Sequence, residues 1–223
     1  NNTYTYKGKA YQLPRHGFAR DMDFSYALIN EHEIVFTLNQ NSDTLNIYPF
    51  EFELQLQYKI FGTSLSCTYE VSNPSANTTL LFALGGHPAF AVPLNKQGVY
   101  TDYYLQFNQD DVLTYHHIVD NLISDETTTI PLIDGKLPLQ HSLFYADALV
   151  FKNLKSDCIS ILNNKNYNGI EFKFQEFPYF GIWAAKNANF VCLEPWCGIA
   201  DGISHDQSLE NKEGMVALAP NEK

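Results

Sequence analysis

Two stretches of this chain hold residues able to exchange protons: Gly85-Gly86-His87-Pro88-Ala89-Phe90 and Phe190-Val191-Cys192-Leu193-Glu194-Pro195-Trp196. In the first, an apolar run, Leu80-Leu81-Phe82-Ala83-Leu84, delivers the chain to two glycines and a histidine, with a proline on the far side. Glycine takes backbone angles closed to other residues and lets a ligand or another chain approach closely. Pro88 fixes its own φ and biases His87 toward an extended conformation. The expectation is an imidazole held at a strand end in one direction, and imidazole as a side-chain type suits proton transfer near neutrality. The plainer alternative is a histidine packed at a tight turn, its ring nitrogens satisfied by backbone. The second stretch tips the balance, because Glu194 lies in an apolar strand beside Pro195 and Trp196. Burial against such groups raises a carboxyl pKa and makes a usable base or acid. One base and one acid on opposite sides of a small molecule can move two protons together.

Two further places carry unusual residues. Pro14-Arg15-His16-Gly17-Phe18-Ala19-Arg20-Asp21 sets two arginines and a histidine around a glycine. Arg15 reads as solvated, whereas Gly17 and Phe18 suggest that His16 and Arg20 sit on an ordered loop. Asp147 enters the apolar run Ala148-Leu149-Val150-Phe151, which is costly unless the carboxylate is paired or faces a cleft. Aromatic residues near these positions, among them Phe90, Trp183 and Trp196, suit a sugar with its apolar ring faces and many hydroxyls.

Composition narrows the chemistry. The chain has 223 residues, 45% of them hydrophobic, so a substantial core can form. Its net charge of −11 argues against nucleic acid or an anionic membrane surface as the main partner, since these require a basic footprint. No run approaches the ~20 apolar residues of a membrane span. The four cysteines, Cys67, Cys158, Cys192 and Cys197, form no C-x-x-C pair, and three lie in apolar runs. Buried thiols in a reducing, cytoplasmic compartment are expected, and the spacing gives little support to a Cys192–Cys197 disulfide or a metal site. Nucleophile-elbow, P-loop, dinucleotide-binding and zinc-protease patterns are all missing.

The elements that must position these residues read as strands. Phe50, Phe52, Leu54, Leu56, Tyr58 and Ile60 alternate with polar residues, and after Gly62 the pattern resumes at Leu65, Cys67, Tyr69 and Val71, predicting a hairpin. Met22 to Ile29 and Glu33 to Leu38 predict another pair, and Lys7-Gly8-Lys9 a turn. Residues 110–139 read as irregular, with His116 and His117 on the surface, and Ser208 to Lys212 as one short helical turn. The last third is strand after strand. The prediction is a single all-β domain over residues 1–223, with about a dozen strands in a large sandwich or barrel.

Gly85-Gly86-His87-Pro88-Ala89-Phe90, Arg15-His16-Gly17-Phe18-Ala19-Arg20, Asp147-Ala148-Leu149, Trp183 and Leu193-Glu194-Pro195-Trp196 together resemble the aldose 1-epimerase (galactose mutarotase) family. The closest likeness is to its lactose-operon branch and the related hexose-6-phosphate epimerases. The motifs occur in the family's order and span nearly the whole chain. The resemblance implies a β-supersandwich and a cofactor-free isomerase acting on a small sugar. Glu194 matches the general base at the C1 hydroxyl, and His87 the general acid at the ring oxygen. His16 matches a second histidine near that oxygen, and Asp147 a carboxylate holding sugar hydroxyls. Arg20 is a candidate contact for sugar or phosphate, and Trp183 a wall of the sugar site. Family members open with further strands, one carrying a pocket arginine unmatched here, and continue past Leu218-Ala219-Pro220 into a last strand. A chain incomplete at both ends is therefore expected. Two other readings share the same residues: a hexose-6-phosphate 1-epimerase, and a carbohydrate-binding protein with little catalysis.

Overall fold

A computed structural model describes residues 2–96 and 98–223, with the side chains of residues 166 and 167 left out. The regular structure of the chain is mostly antiparallel β-sheet. It divides into two compact units, one formed by the chain up to Phe82 together with Asp206–Lys223, the other by Ala83–His205.

In the first unit, β1 (Thr3–Tyr6) and β2 (Lys9–Gln12) form a hairpin around the predicted turn. Lys7 and Gly8 both turn it with positive φ, 48° and 75°, as a tight two-residue turn demands. A four-stranded meander follows: β3 (Ser25–Asn30), β4 (Glu33–Asn39), β5 (Glu53–Phe61) and β6 (Ser64–Ser72). The alternating pattern over β5 and β6 had announced their pairing, which runs from Glu53 opposite Ser72 to Phe61 opposite Ser64. Between β4 and β5 lies a helix, α1 (Ser42–Ile47), too short to show a hydrophobic period. Its signal is a cap. Asn41 Oδ1 accepts from the amides of Asp43 and Thr44 at 2.9 Å, and the Asn41 amide donates to Thr44 Oγ1 at 2.8 Å. Leu38, Phe50, Phe52, Leu80 and Leu209 form the core of this unit. The strand Leu80–Phe82, β7, pairs with Val216–Leu218. Buried Asn73 clamps that C-terminal segment, its side-chain amide donating to the carbonyls of Leu218 and Ala219 at 2.9 and 3.1 Å.

The second unit holds two sheets. Its strands are β8 (Leu84–Gly85), β9 (Ala89–Ala91), β10 (Tyr103–Phe107), β11 (Val112–Val119), β12 (Leu122–Pro131) and β13 (Lys136–Pro138), then β14 (Leu149–Phe151), β15 (Cys158–Asn163), β16 (Asn166–Lys173), β17 (Tyr179–Trp183) and β18 (Phe190–Cys197). The larger sheet runs β12-β11-β14-β17-β18-β8, with β9 also paired to β18, and the smaller runs β13-β10-β15-β16. Both sheets bury one core: Tyr103, Leu105 and Phe107 of β10 and Ile159 and Ile161 of β15 join Phe180, Ile182, Val191 and Leu193 of β17 and β18. Each fully buried side chain of this size stabilises the fold by about 1.5–3 kcal/mol.

Three expectations are corrected. Residues 110–139 are not irregular, since β11 and β12 form a long hairpin and β13 follows. The polar run Ser124–Thr129 concealed it, yet threonine's branched Cβ suits a strand whose outer face meets water. His116 and His117 are half-buried rather than on the surface, Nδ1 of His116 lying 2.9 Å from the Ser124 carbonyl and Nε2 of His117 2.8 Å from Thr128 Oγ1. Residues 209–211 form a turn within Ser208–Lys212, not a helix. The strands outnumber the predicted dozen because many, such as β8, β9 and β14, span only two or three residues.

Candidate active site

Alternation along β18 divides its side chains between two environments. Val191 and Leu193 enter the core, so Cys192, Glu194 and Trp196 belong to the opposite face. On neighbouring β17, Phe180 and Ile182 enter the same core, which puts Gly181 and Trp183 on the face of Glu194. Gly181 is directly opposite Glu194 in the register. A Cβ on Gly181 would overlap the six-membered ring of Trp196, and one on Gly85 would come within 2.6 Å of Trp196 Cδ1. Both glycines are therefore needed for space, so that the indole can lie across the strands flanking its own.

His87 is set by the gap between β8 and β9. The Gly86 amide donates to the Pro195 carbonyl at 2.9 Å, and the Leu193 amide donates to the Pro88 carbonyl at 3.2 Å. These two bonds grip the chain on either side of His87 and hold it alongside Glu194. Nδ1 of His87 lies 3.4 Å from Oε1 of Glu194, with the imidazole 55% exposed and the carboxylate side chain only 9%. Trp183 meets the His87 ring edge-on, centroids 6.0 Å apart.

Burial is the largest influence on Glu194 and holds its carboxyl above the usual range. His87 and the Trp196 indole N–H, which donates to the carboxylate, pull in the other direction, and the charge of Asp147 pushes it up again. Asp147 is half-buried just ahead of β14, with a φ of 152°. Its Oδ1 accepts from the Ala148 amide at 2.7 Å, which fixes the carboxylate beside the strand end. Thus His87, Glu194, Asp147 and Trp183 gather in the second unit.

His16 and Arg20 belong to the first unit, both exposed on the loop expected to be ordered. The Gly17 amide donates to the Pro14 carbonyl at 3.0 Å, and Phe18 packs against Tyr48 and Phe52. His16 has a φ of 69°, and Arg20 Nε lies 3.9 Å from Asp21 Oδ2.

Sequence reading missed one member of the cluster. The Cys192 sulfur lies within 4.8 Å of ligand atoms of both His87 and Glu194. Burial and the nearby Glu194 push its thiol up to about 12. The signal was available, since a residue two positions before Glu194 on a strand shares its face. These three residues are also the one group of three His, Cys, Asp or Glu donors placed to hold a metal ion among the described residues. Chemically, the site offers a buried proton acceptor beside an exposed imidazole, with an aromatic wall and a second carboxylate.

LacX of Lactococcus lactis subsp. lactis is 30% identical over 212 residues, covering 93% of this chain and 71% of LacX. The crystal structure of a galactose mutarotase related enzyme from Lactobacillus acidophilus superposes with a TM-score of 0.91 at 34% identity, covering 100% of this chain and 75% of that one. A galactose mutarotase-like protein from Lactobacillus casei gives a TM-score of 0.87 at 29% identity, with 99% and 76% coverage. The fold is therefore galactose mutarotase-like. The family described as aldose 1-epimerase matches residues 1–223 in full, and the chain belongs to that family.

Proposed function

We propose that the protein is an aldose 1-epimerase that interconverts the α and β anomers of an aldohexose. The observation that supports this best is the buried Glu194 carboxylate lying 3.4 Å from the exposed imidazole of His87. Glu194, as the carboxylate, takes the proton from the C1 hydroxyl. His87 gives a proton to the ring oxygen as the C1–O5 bond breaks, and the open-chain aldehyde forms. Rotation about C1–C2 presents the other face of the carbonyl. O5 then attacks C1, His87 takes back its proton and Glu194 returns its own to the new hydroxyl. The cycle is balanced in atoms and charge, and no redox step is involved. Asp147 accepts hydrogen bonds from sugar hydroxyls, and Trp183 offers an apolar surface to the ring. His16 and Arg20 enter this reading as sugar contacts through their match to the family motif.

The test is polarimetry. Freshly dissolved α-D-glucose or α-D-galactose should reach anomeric equilibrium faster with the protein than without it, and neither Glu194→Gln nor His87→Ala should retain the acceleration. No acceleration with free sugars, but acceleration with their 6-phosphates, would move the activity to hexose 6-phosphates. Binding of sugar without turnover of either class would overturn the catalytic reading.

A further inference from the structure

The proposed reaction uses His87 and Glu194 and leaves Cys192 without a task, although the thiol stands within reach of both. We propose that His87, Cys192 and Glu194 form a binding site for a borderline-soft divalent cation, zinc foremost, and that the cation switches the acid–base pair off. The inference takes its functional consequence from the epimerase reading, while the site itself stands on geometry.

The donor set is one nitrogen, one sulfur and one carboxylate oxygen. Zinc accepts all three types at about 2.0–2.3 Å, which places neighbouring donors of a tetrahedral site roughly 3.3–3.8 Å apart. Nδ1 of His87 and Oε1 of Glu194 are already 3.4 Å apart, and all three donor atoms lie within 4.8 Å of one another. The imidazole, at an exposed position, has room to turn toward the other two donors. The other two donors are prepositioned, because Cys192 and Glu194 are alternate residues on one face of β18. The indole N–H of Trp196 already donates to the Glu194 carboxylate, the kind of outer partner that orients a metal-bound oxygen. Three protein ligands leave a fourth position for water. Oxygen-seeking ions such as magnesium gain little from a thiolate, so the set discriminates in favour of zinc.

Binding releases the thiol proton to solvent and forms metal–sulfur, metal–nitrogen and metal–oxygen bonds, with no change of oxidation state. It also occupies the lone pairs with which His87 and Glu194 would exchange protons. A sugar and the cation therefore compete.

Cobalt(II) reports on such a site without any assay of activity. Added to the full chain, it should produce a thiolate-to-cobalt charge-transfer absorption that zinc removes. Calorimetry should show one zinc bound per chain, with affinity falling at least about tenfold in Cys192→Ser, the lower end of the cost of losing even an outer partner in a metal site. His87→Ala, at an exposed position that folding does not require, should weaken zinc similarly. In polarimetry, zinc should abolish wild-type acceleration reversibly on chelation, whereas whatever activity Cys192→Ser has should need at least about tenfold more zinc for the same fractional inhibition. Absence of the charge-transfer band in the wild-type protein, or equal zinc affinity in wild type and both variants, would overturn the site. If the wild-type protein accelerates no sugar, the cobalt band and the calorimetry still decide the metal site on their own.

Discussion

His87 with Glu194, and His16 with Arg20, are positioned in opposite ways. The first pair is set by paired strands: two backbone bonds grip the chain around His87, and Glu194 is fixed in the middle of β18. The second pair stands on the segment around Gly17 and the 3-10 turn Ala19–Asp21, where Phe18 packs against Tyr48 and Phe52. Each region has its own essential glycine, for a different reason. Gly181 is needed because Trp196 fills the space where a Cβ would stand. Gly17 has open space around it but a φ of +70°, which an L side chain rarely adopts. Strand-held groups are expected to carry chemistry that demands fixed distances, and loop-held groups to tolerate more variation.

The largest expected effect tests that division directly. Glu194→Gln and His87→Ala should each lower the rate of anomer interconversion by about 10²–10⁴-fold, the scale of general acid–base catalysis, whereas His16→Ala should cost less. A His16→Ala loss as large as that of His87→Ala would break the comparison.

Next come the glycines. Gly181→Ala should force the indole aside and destabilise the protein by roughly 1–3 kcal/mol, as overpacking does, with a fall in activity as Glu194 loses its donor. Gly17→Ala should cost about 1–2 kcal/mol through backbone strain and leave the rate at saturating sugar nearly intact. Thermal unfolding and polarimetry of the two variants separate the two kinds of dependence.

Smaller shifts follow from the environment of Glu194. Protonated Glu194 cannot accept the C1 proton, so activity should fall on acidification at a pH above the ordinary carboxylate range. Trp196→Phe removes a donor that favours the carboxylate, so the acidic limb of the pH–rate profile should move upward. Stability has the opposite dependence. Because folding raises the Glu194 pKa, its contribution is fully present below the unfolded value and lost as pH rises through the folded one. Glu194→Gln should therefore melt higher than wild type above that window, and the gain from avoided ionisation should disappear below the unfolded pKa. A gain that persists unchanged at low pH would point to packing instead.

Much of this was legible in the residues. The alternating pattern of β5 and β6 fixed their pairing, and the glycine, proline and apolar neighbours of His87 and Glu194 marked both as unusual. The β11–β12 hairpin was hidden because its solvent-facing threonines look like loop, and α1 because six residues are too few for a period. Cys192 is expected from the sequence only to be a buried thiol, since an apolar stretch does not reveal which of its faces meets the core. The space beneath Trp196 could not be read at all, because register, and not spacing, brings Gly85 and Gly181 to it.

That arrangement has a consequence for inheritance. Gly85, Gly181 and Trp196 lie on three different strands and 111 positions apart at the extremes, yet a larger residue at either glycine is acceptable only if the tryptophan also changes. The three positions are epistatic, and their substitutions should be strongly non-additive. A lineage cannot drift through them one at a time without passing through an impaired intermediate, so the trio should be gained or lost as a block.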